Sequence, residues 1–196
     1  MRASQVIGAG PLTIEAWVRP GASSADGLLV IGADDNAGWS LELNGGRLTL
    51  WLATTQGLRS NQNTTLLQAG QWYHVAATYA NGSAQTFVNG AGSTSSSVGT
   101  LTQGPFLRFG GLAGYAFFNG ALDEVRISSV VRYVGNFTPP AAPFVSDANT
   151  IGLWSFDEGA GQTAADESAN ANNGTLGSTS GADASDPAWT AGYPFP

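Results

Sequence analysis

Apolar and polar residues alternate with a period of two along most of the chain, the pattern of half-buried β-strands. Residues 12–19 set Ile14, Ala16 and Val18 against Glu15, Trp17 and Arg19. Residues 72–79 set Tyr73, Val75, Ala77 and Tyr79 against Trp72, His74, Ala76 and Thr78. The same pattern predicts strands over 28–31, 39–44, 47–53, 84–89, 106–109, 121–128 and 151–156. Asn44-Gly45-Gly46, Asn81-Gly82 and Asn89-Gly90 punctuate them. An Asn-Gly pair between alternating segments favours a type I′ hairpin turn, which needs positive φ at both central residues. No amphipathic helix is predicted. The stretch 92–99 is a Gly/Ser/Thr loop. Many short strands joined by turns predict an all-β fold, two antiparallel sheets packed as a jelly-roll sandwich.

The chain has 196 residues and 42% hydrophobic residues, enough for a real core, which excludes global disorder. All-β sandwiches often spend about 200 residues on one domain, so residues 1–196 are expected to form a single unit. Residues 136–149 are proline-rich and extended. The stretch after them is too short for an independent core, so residues 150–196 are expected to fold back onto the sandwich.

Zero Cys excludes a disulfide framework, a thiolate zinc site and a cysteine nucleophile. All seven cations are Arg and the net charge is −7. That balance argues against nucleic acid, whose phosphates need clustered cations. No apolar run reaches the ~20 residues of a membrane span, so no membrane insertion is expected. The first eighteen residues lack the apolar block of a signal peptide.

Five segments carry a resemblance. They are LTIEAWVRP (12–20), QWYHVAATY (71–79), FVNG (87–90), FNGALDEVRI (118–127) and LWSFDEGAG (153–161) followed by DESAN (166–170). Together they resemble the laminin G-like domains of the concanavalin A-like lectin/glucanase superfamily, which implies a jelly-roll of roughly a dozen strands. One departure stands out: the Trp-x-Phe-Asp-Glu-Gly segment opens many relatives and comes last here. Either the tail completes the same sandwich, or it begins a following repeat. The first is preferred, since an orphaned Trp154/Phe156 strand would expose apolar surface.

Catalysis is not expected. The glucanase branch uses carboxylates spaced along one strand so that acid and nucleophile face one cleft. Here Asp123-Glu124 and Asp157-Glu158 are adjacent pairs, Glu15 stands alone, and His74 has no nucleophile elbow near it. The resemblance does imply a structural calcium near residues 121–128, and calcium takes several oxygen ligands. Asp123 shares a face with Val125 and Ile127 by alternation, and a core-facing carboxylate must be paired or metal-bound. Asp157, Asp166 and Asn170 are the further candidate ligands, although Ala169 replaces the family's Gly. The alternative is Asp capping backbone amides in a turn. Glu15/Arg19 and Glu124/Arg126 are expected to form a cross-strand charge ladder.

For ligand recognition the candidates are Trp39 with Asp35 and Asn36, then Trp51, and Tyr115 in the aromatic loop 115–119. Trp17, Trp72 and Trp154 occupy motif positions expected to pack in the core. The expected function is a non-catalytic recognition or adhesion module. It binds a glycan or a surface protein through sandwich-edge loops, with calcium stabilisation, outside the cell or at its surface. The alternative is a self-assembling subunit or decoration of a phage virion or surface filament.

Overall fold

A computed structural model describes residues 2–3, 10–22, 25–34, 37–102, 104, 106–111, 116–177, 181–184 and 186–196. Among them there is no helix, and strands run throughout. In chain order they are β1 (Arg2–Ala3), β2 (Leu12–Pro20), β3 (Gly27–Asp34), β4 (Ala37–Asn44), β5 (Arg47–Thr54), β6 (Gly57–Leu66), β7 (Tyr73–Ala80) and β8 (Ser83–Val88). There follow β9 (Ala91–Gly92), β10 (Ser96–Ser97), β11 (Leu107–Phe109), β12 (Gly120–Ser128), β13 (Thr150–Trp154), β14 (Thr163–Ala164) and β15 (Gly174–Thr175).

They build two antiparallel sheets. The first runs β14-β15-β1-β11-β3-β4-β5-β6, and the second β10-β8-β7-β2-β12-β13, with β9 beside β8. The tight turns set the register. Gly45-Gly46, Asn81-Gly82 and Asn89-Gly90 each hold positive φ at both central residues, the type I′ condition that matches strand twist. At the first turn Asn44 pairs with Arg47, so the two glycines, and not Asn44, are the central residues.

The inner faces meet in one core. Ile14, Ala16 and Val18 of β2 and Val75, Ala77 and Tyr79 of β7 face Leu41, Leu43, Leu48, Leu50 and Leu52 of the other sheet. Each fully buried leucine contributes about 1.5–3 kcal/mol. Trp154 of β13 is wholly buried, with its ring 4.9 Å from Phe109 of β11, so this contact spans the two sheets. Trp39 is also a core residue, 2% exposed. Its ring lies over Gly32, where a Cβ would come within 2.7 Å of the indole. It therefore cannot present an aromatic face to a ligand at the rim.

The outer face of the second sheet is covered as well. Trp17, Phe144 and Leu153 form a separate apolar cluster joined by Trp72, Tyr193 and Phe195. Tyr193 stacks on Trp17 at 3.5 Å. Beside this cluster Glu15 is fully buried. Its carboxylate accepts hydrogen bonds from Arg126 Nε (2.8 Å) and the Tyr133 hydroxyl (2.6 Å), and lies 3.3 Å from His74 Nε2. Arg126 and Glu15 are direct cross-strand partners, which realises that half of the charge ladder. The network pins residues 129–149 over the sheet, and Arg132 secures the same segment through both carboxylate oxygens of Asp147 at 2.9 and 3.0 Å.

The tail supplies strands to both sheets. β13 pairs with β12, and β14 and β15 extend the first sheet beside β1.

Candidate functional site

A large concavity opens where β2 ends and β12 begins. Gly21 N–H donates to Asn119 O (2.7 Å), tying the two strand ends together. Phe118 N–H donates to Gly110 O (2.9 Å) and Leu28 N–H to Ala116 O (3.0 Å), which fixes the segment before β12 against β3 and β11. The opposite wall is the tail segment 186–192. The Trp189 indole donates to Gly161 O (2.9 Å), and Tyr193 N–H donates to Asp123 Oδ2 (2.6 Å). The groove between these walls has a volume of about 1080 Å³.

Its surface combines aromatic rings with charged groups of both signs. Phe117, Phe118, Phe156 and Trp189 line it, together with Arg19, Arg108, Asp123 and Asp186. Phe117 is 69% exposed, an unusual state for so large an apolar ring. Asp186 Oδ2 accepts Asp183 N–H, whereas its Oδ1 is buried without a partner among the described residues. The arginines are oriented by aromatic faces: Arg19 lies 5.1 Å from the Trp72 ring centre and Arg108 lies 4.5 Å from that of Phe106.

Asp123 sits at the groove, and not on the core face that simple alternation predicts. The β12 register slips between Asp123 and Arg126. Asp123 pairs with Trp17 and Arg126 with Glu15, so both look outward, while Val125 and Ile127 face the core. The extra residue is a β-bulge at Glu124, whose φ is +51°. Burial, with Asp157 nearby, raises the Asp123 carboxyl above its ordinary range, and the Tyr193 N–H partly offsets this. The Glu124 carboxylate accepts Phe144 N–H (2.7 Å). Burial first, then the charges of Asp123, Asp157 and Glu167, push its pKa up to about 7.

The residues proposed as calcium ligands do not form one ligand set. Asp166 Oδ1 accepts Leu153 N–H (3.0 Å) and Ser168 N–H (2.9 Å), and its Oδ2 accepts Asn172 N–H (2.8 Å). Asn170 Nδ2 donates to Ile151 O (2.8 Å). These are the bonds of an aspartate capping a buried turn, with both oxygens committed. Among the described residues no group of three or more His, Asp or Glu is placed to hold a metal ion. Both oxygens of the Asp166 carboxylate are therefore taken up by this turn. Asp35, Asn36 and Tyr115 lie outside the described residues. Phe117 and Phe118, from the same aromatic loop as Tyr115, line the groove. The tail wall escaped sequence reasoning, because residues 186–192 carry no local motif that announces a partner seventy positions away.

The carboxylates of Glu15 and Asp166 are closed off by hydrogen bonds within the protein. A two-sheet sandwich with an aromatic, mixed-charge groove at one end is a binding architecture. Residues 2–135 match the Laminin_G_3 family model of the concanavalin A-like lectin/glucanases superfamily, and the chain belongs to that family. No curated protein sequence matches the chain. Among solved structures, it is similar to a provisionally assigned carbohydrate-binding protein from Bacteroides ovatus. That likeness has a TM-score of 0.64 at 20% identity, covering 89% of this chain and 54% of that one. It is also similar to domains LG4-5 of the mouse laminin alpha1 chain, with a TM-score of 0.53 at 22% identity, covering 69% of this chain and 42% of that one. The chain thus spans about half the length of these relatives. Among the described residues no helix is long and apolar enough to cross a membrane.

Proposed function

We propose that the chain is a non-catalytic recognition module of an extracellular or surface protein, and that its end groove binds a glycan. The observation that carries this reading is the exposed Phe117 ring set among charged side chains. A sugar ring offers a C–H face for an aromatic platform and hydroxyls for carboxylate and guanidinium groups. Arg19 and Arg108 donate hydrogen bonds to sugar oxygens in this reading. Residues 1–196 act as one sandwich in this reading, because the tail segment 186–192 forms a wall of the site. The glycan-binding description of the Bacteroides relative is consistent with it. A glycan array probed with the full chain and with Phe117→Ala tests it. Binding that falls at least tenfold in the variant supports the groove. Silence across the array, or hits indifferent to Phe117→Ala, counts against it.

A further inference from the structure

The tail wall of the groove is held from outside the groove. Among the described residues, two hydrogen bonds join residues 187–196 to the rest of the chain. Trp189 Nε1–H donates to Gly161 O (2.9 Å), and Tyr193 N–H donates to Asp123 Oδ2 (2.6 Å). No described strand follows β15, so no ladder fixes this segment. Thr190 and Gly192 line the groove and are exposed, so where they stand depends on the two tethered ends.

At the Tyr193 end, two residues of one cross-strand pair act together. Asp123 of β12 stands opposite Trp17 of β2. Asp123 accepts the Tyr193 N–H, and the Trp17 indole carries the Tyr193 ring, stacked at 3.5 Å with the planes 9° apart. A held N–H and a held ring fix a residue in rotation as well as in position. Asp123 can reach the tail because the bulge at Glu124 turns it outward. The chain passes so close that a Cβ on Gly192 would lie 2.5 Å from Asp123 Oδ2. The Tyr193 hydroxyl makes no hydrogen bond among the described residues. Neither Tyr193 nor Trp17 lines the groove. From this arrangement we propose that Tyr193, seated on the Trp17–Asp123 pair, is the positioning residue of the groove, setting the wall that a glycan meets without touching the glycan itself. The effect on binding rests on the glycan reading; the seat does not.

The test compares the full chain with Tyr193→Ala and Tyr193→Phe. Hydrogen exchange followed by mass spectrometry reads the wall, and calorimetric titration of the glycan that the parent selects on the array reads the site. In Tyr193→Ala, exchange in residues 190–196 is expected to be at least about tenfold faster, with β2, β7 and β12 exchanging as in the parent. The glycan Kd is expected to weaken at least about fivefold, because the wall is then in place only part of the time. Tyr193→Phe keeps the ring and the N–H and is expected to match the parent in both readouts. Parent-like exchange in Tyr193→Ala, faster exchange that spreads through β2 and β12, or a freed wall with an unchanged Kd would overturn the proposal. So would a Tyr193→Phe protein that behaves like Tyr193→Ala. A parent that binds no glycan on the array defeats the glycan reading, and exchange in residues 190–196 then decides the seat alone.

Discussion

Replacing Glu15 by Gln keeps the shape of the side chain and removes its charge. In the folded protein that carboxylate is fully buried, 2.7 Å from Arg126 NH2 and 2.6 Å from the Tyr133 hydroxyl. The Arg126 side chain is only 11% exposed, so its charge would be left largely desolvated and unmatched. Breaking a buried pair from one side costs about 3–5 kcal/mol. For a chain of this size 1 kcal/mol moves Tm by about 2–4 °C, so a fall of roughly 6–20 °C is expected. Thermal and urea unfolding followed by tryptophan fluorescence measure it. The double variant Glu15→Gln/Arg126→Met is expected to recover much of the loss, because the stranded cation is then gone. Burial alone would raise the Glu15 carboxyl, but the His74 hydrogen bond, the Arg126 charge and Tyr133 together bring it below its ordinary value. Its contribution is therefore present above the ordinary glutamate pKa and lost as pH falls through the depressed one. A Glu15→Gln protein within about 1 kcal/mol of the parent would refute the claim that this network holds residues 129–149 on the sheet.

Glu124 has the opposite sign. Its folded pKa of about 7 lies above the ordinary value, so its contribution is full below that ordinary value and lost as pH rises through about 7. Tm measured from pH 5 to 8 should therefore fall more in the parent than in Glu124→Gln; parallel profiles would contradict this. Asp166→Ala strands three backbone N–H groups, and urea unfolding should show a loss of about 3 kcal/mol or more. Because those oxygens are committed, adding calcium or EDTA to the parent protein should shift Tm by less than about 1 °C, and a clear calcium-dependent rise would contradict the turn-cap assignment. Gly90→Ala should cost about 2 kcal/mol or more by urea unfolding, since φ is +77° there and a Cβ would overlap the Phe137 carbonyl oxygen. An unaffected midpoint would mean that residues 129–149 are not held where the structure places them.

Alternation exposed β2, β7 and β8 because one face of each is apolar and buried, and the Asn-Gly pairs marked two of the turns between strands. β6 left no such trace. Its ten residues are mostly polar, and the two that point inward are Asn61 and Asn63. They satisfy themselves on Thr86, Ala91 and Ser96 of the other sheet and on Thr94 between β9 and β10, so a buried polar network stands where hydrophobic side chains would have signalled a strand. Asp123 was misplaced for a different reason. A bulge at Glu124 reverses the pleat, and a one-residue slip moves every later side chain to the other face. Trp39 looked like a rim aromatic because the room that buries it comes from Gly32 on the neighbouring strand. The aromatic loop was legible as a candidate, but the groove was not. Its walls come from segments near residues 20, 110, 120 and 190, which only the tail's path along the sheets brings together.

Calorimetric titration of an array-selected glycan into the parent protein, Phe117→Ala and Leu58→Ala, an exposed position of β6 outside the groove, tests the glycan assignment most directly. Saturable binding is expected in the parent and in Leu58→Ala, with at least a tenfold weaker Kd in Phe117→Ala. Equal affinity in all three, or weakening only at Leu58, would place the ligand elsewhere and contradict the groove.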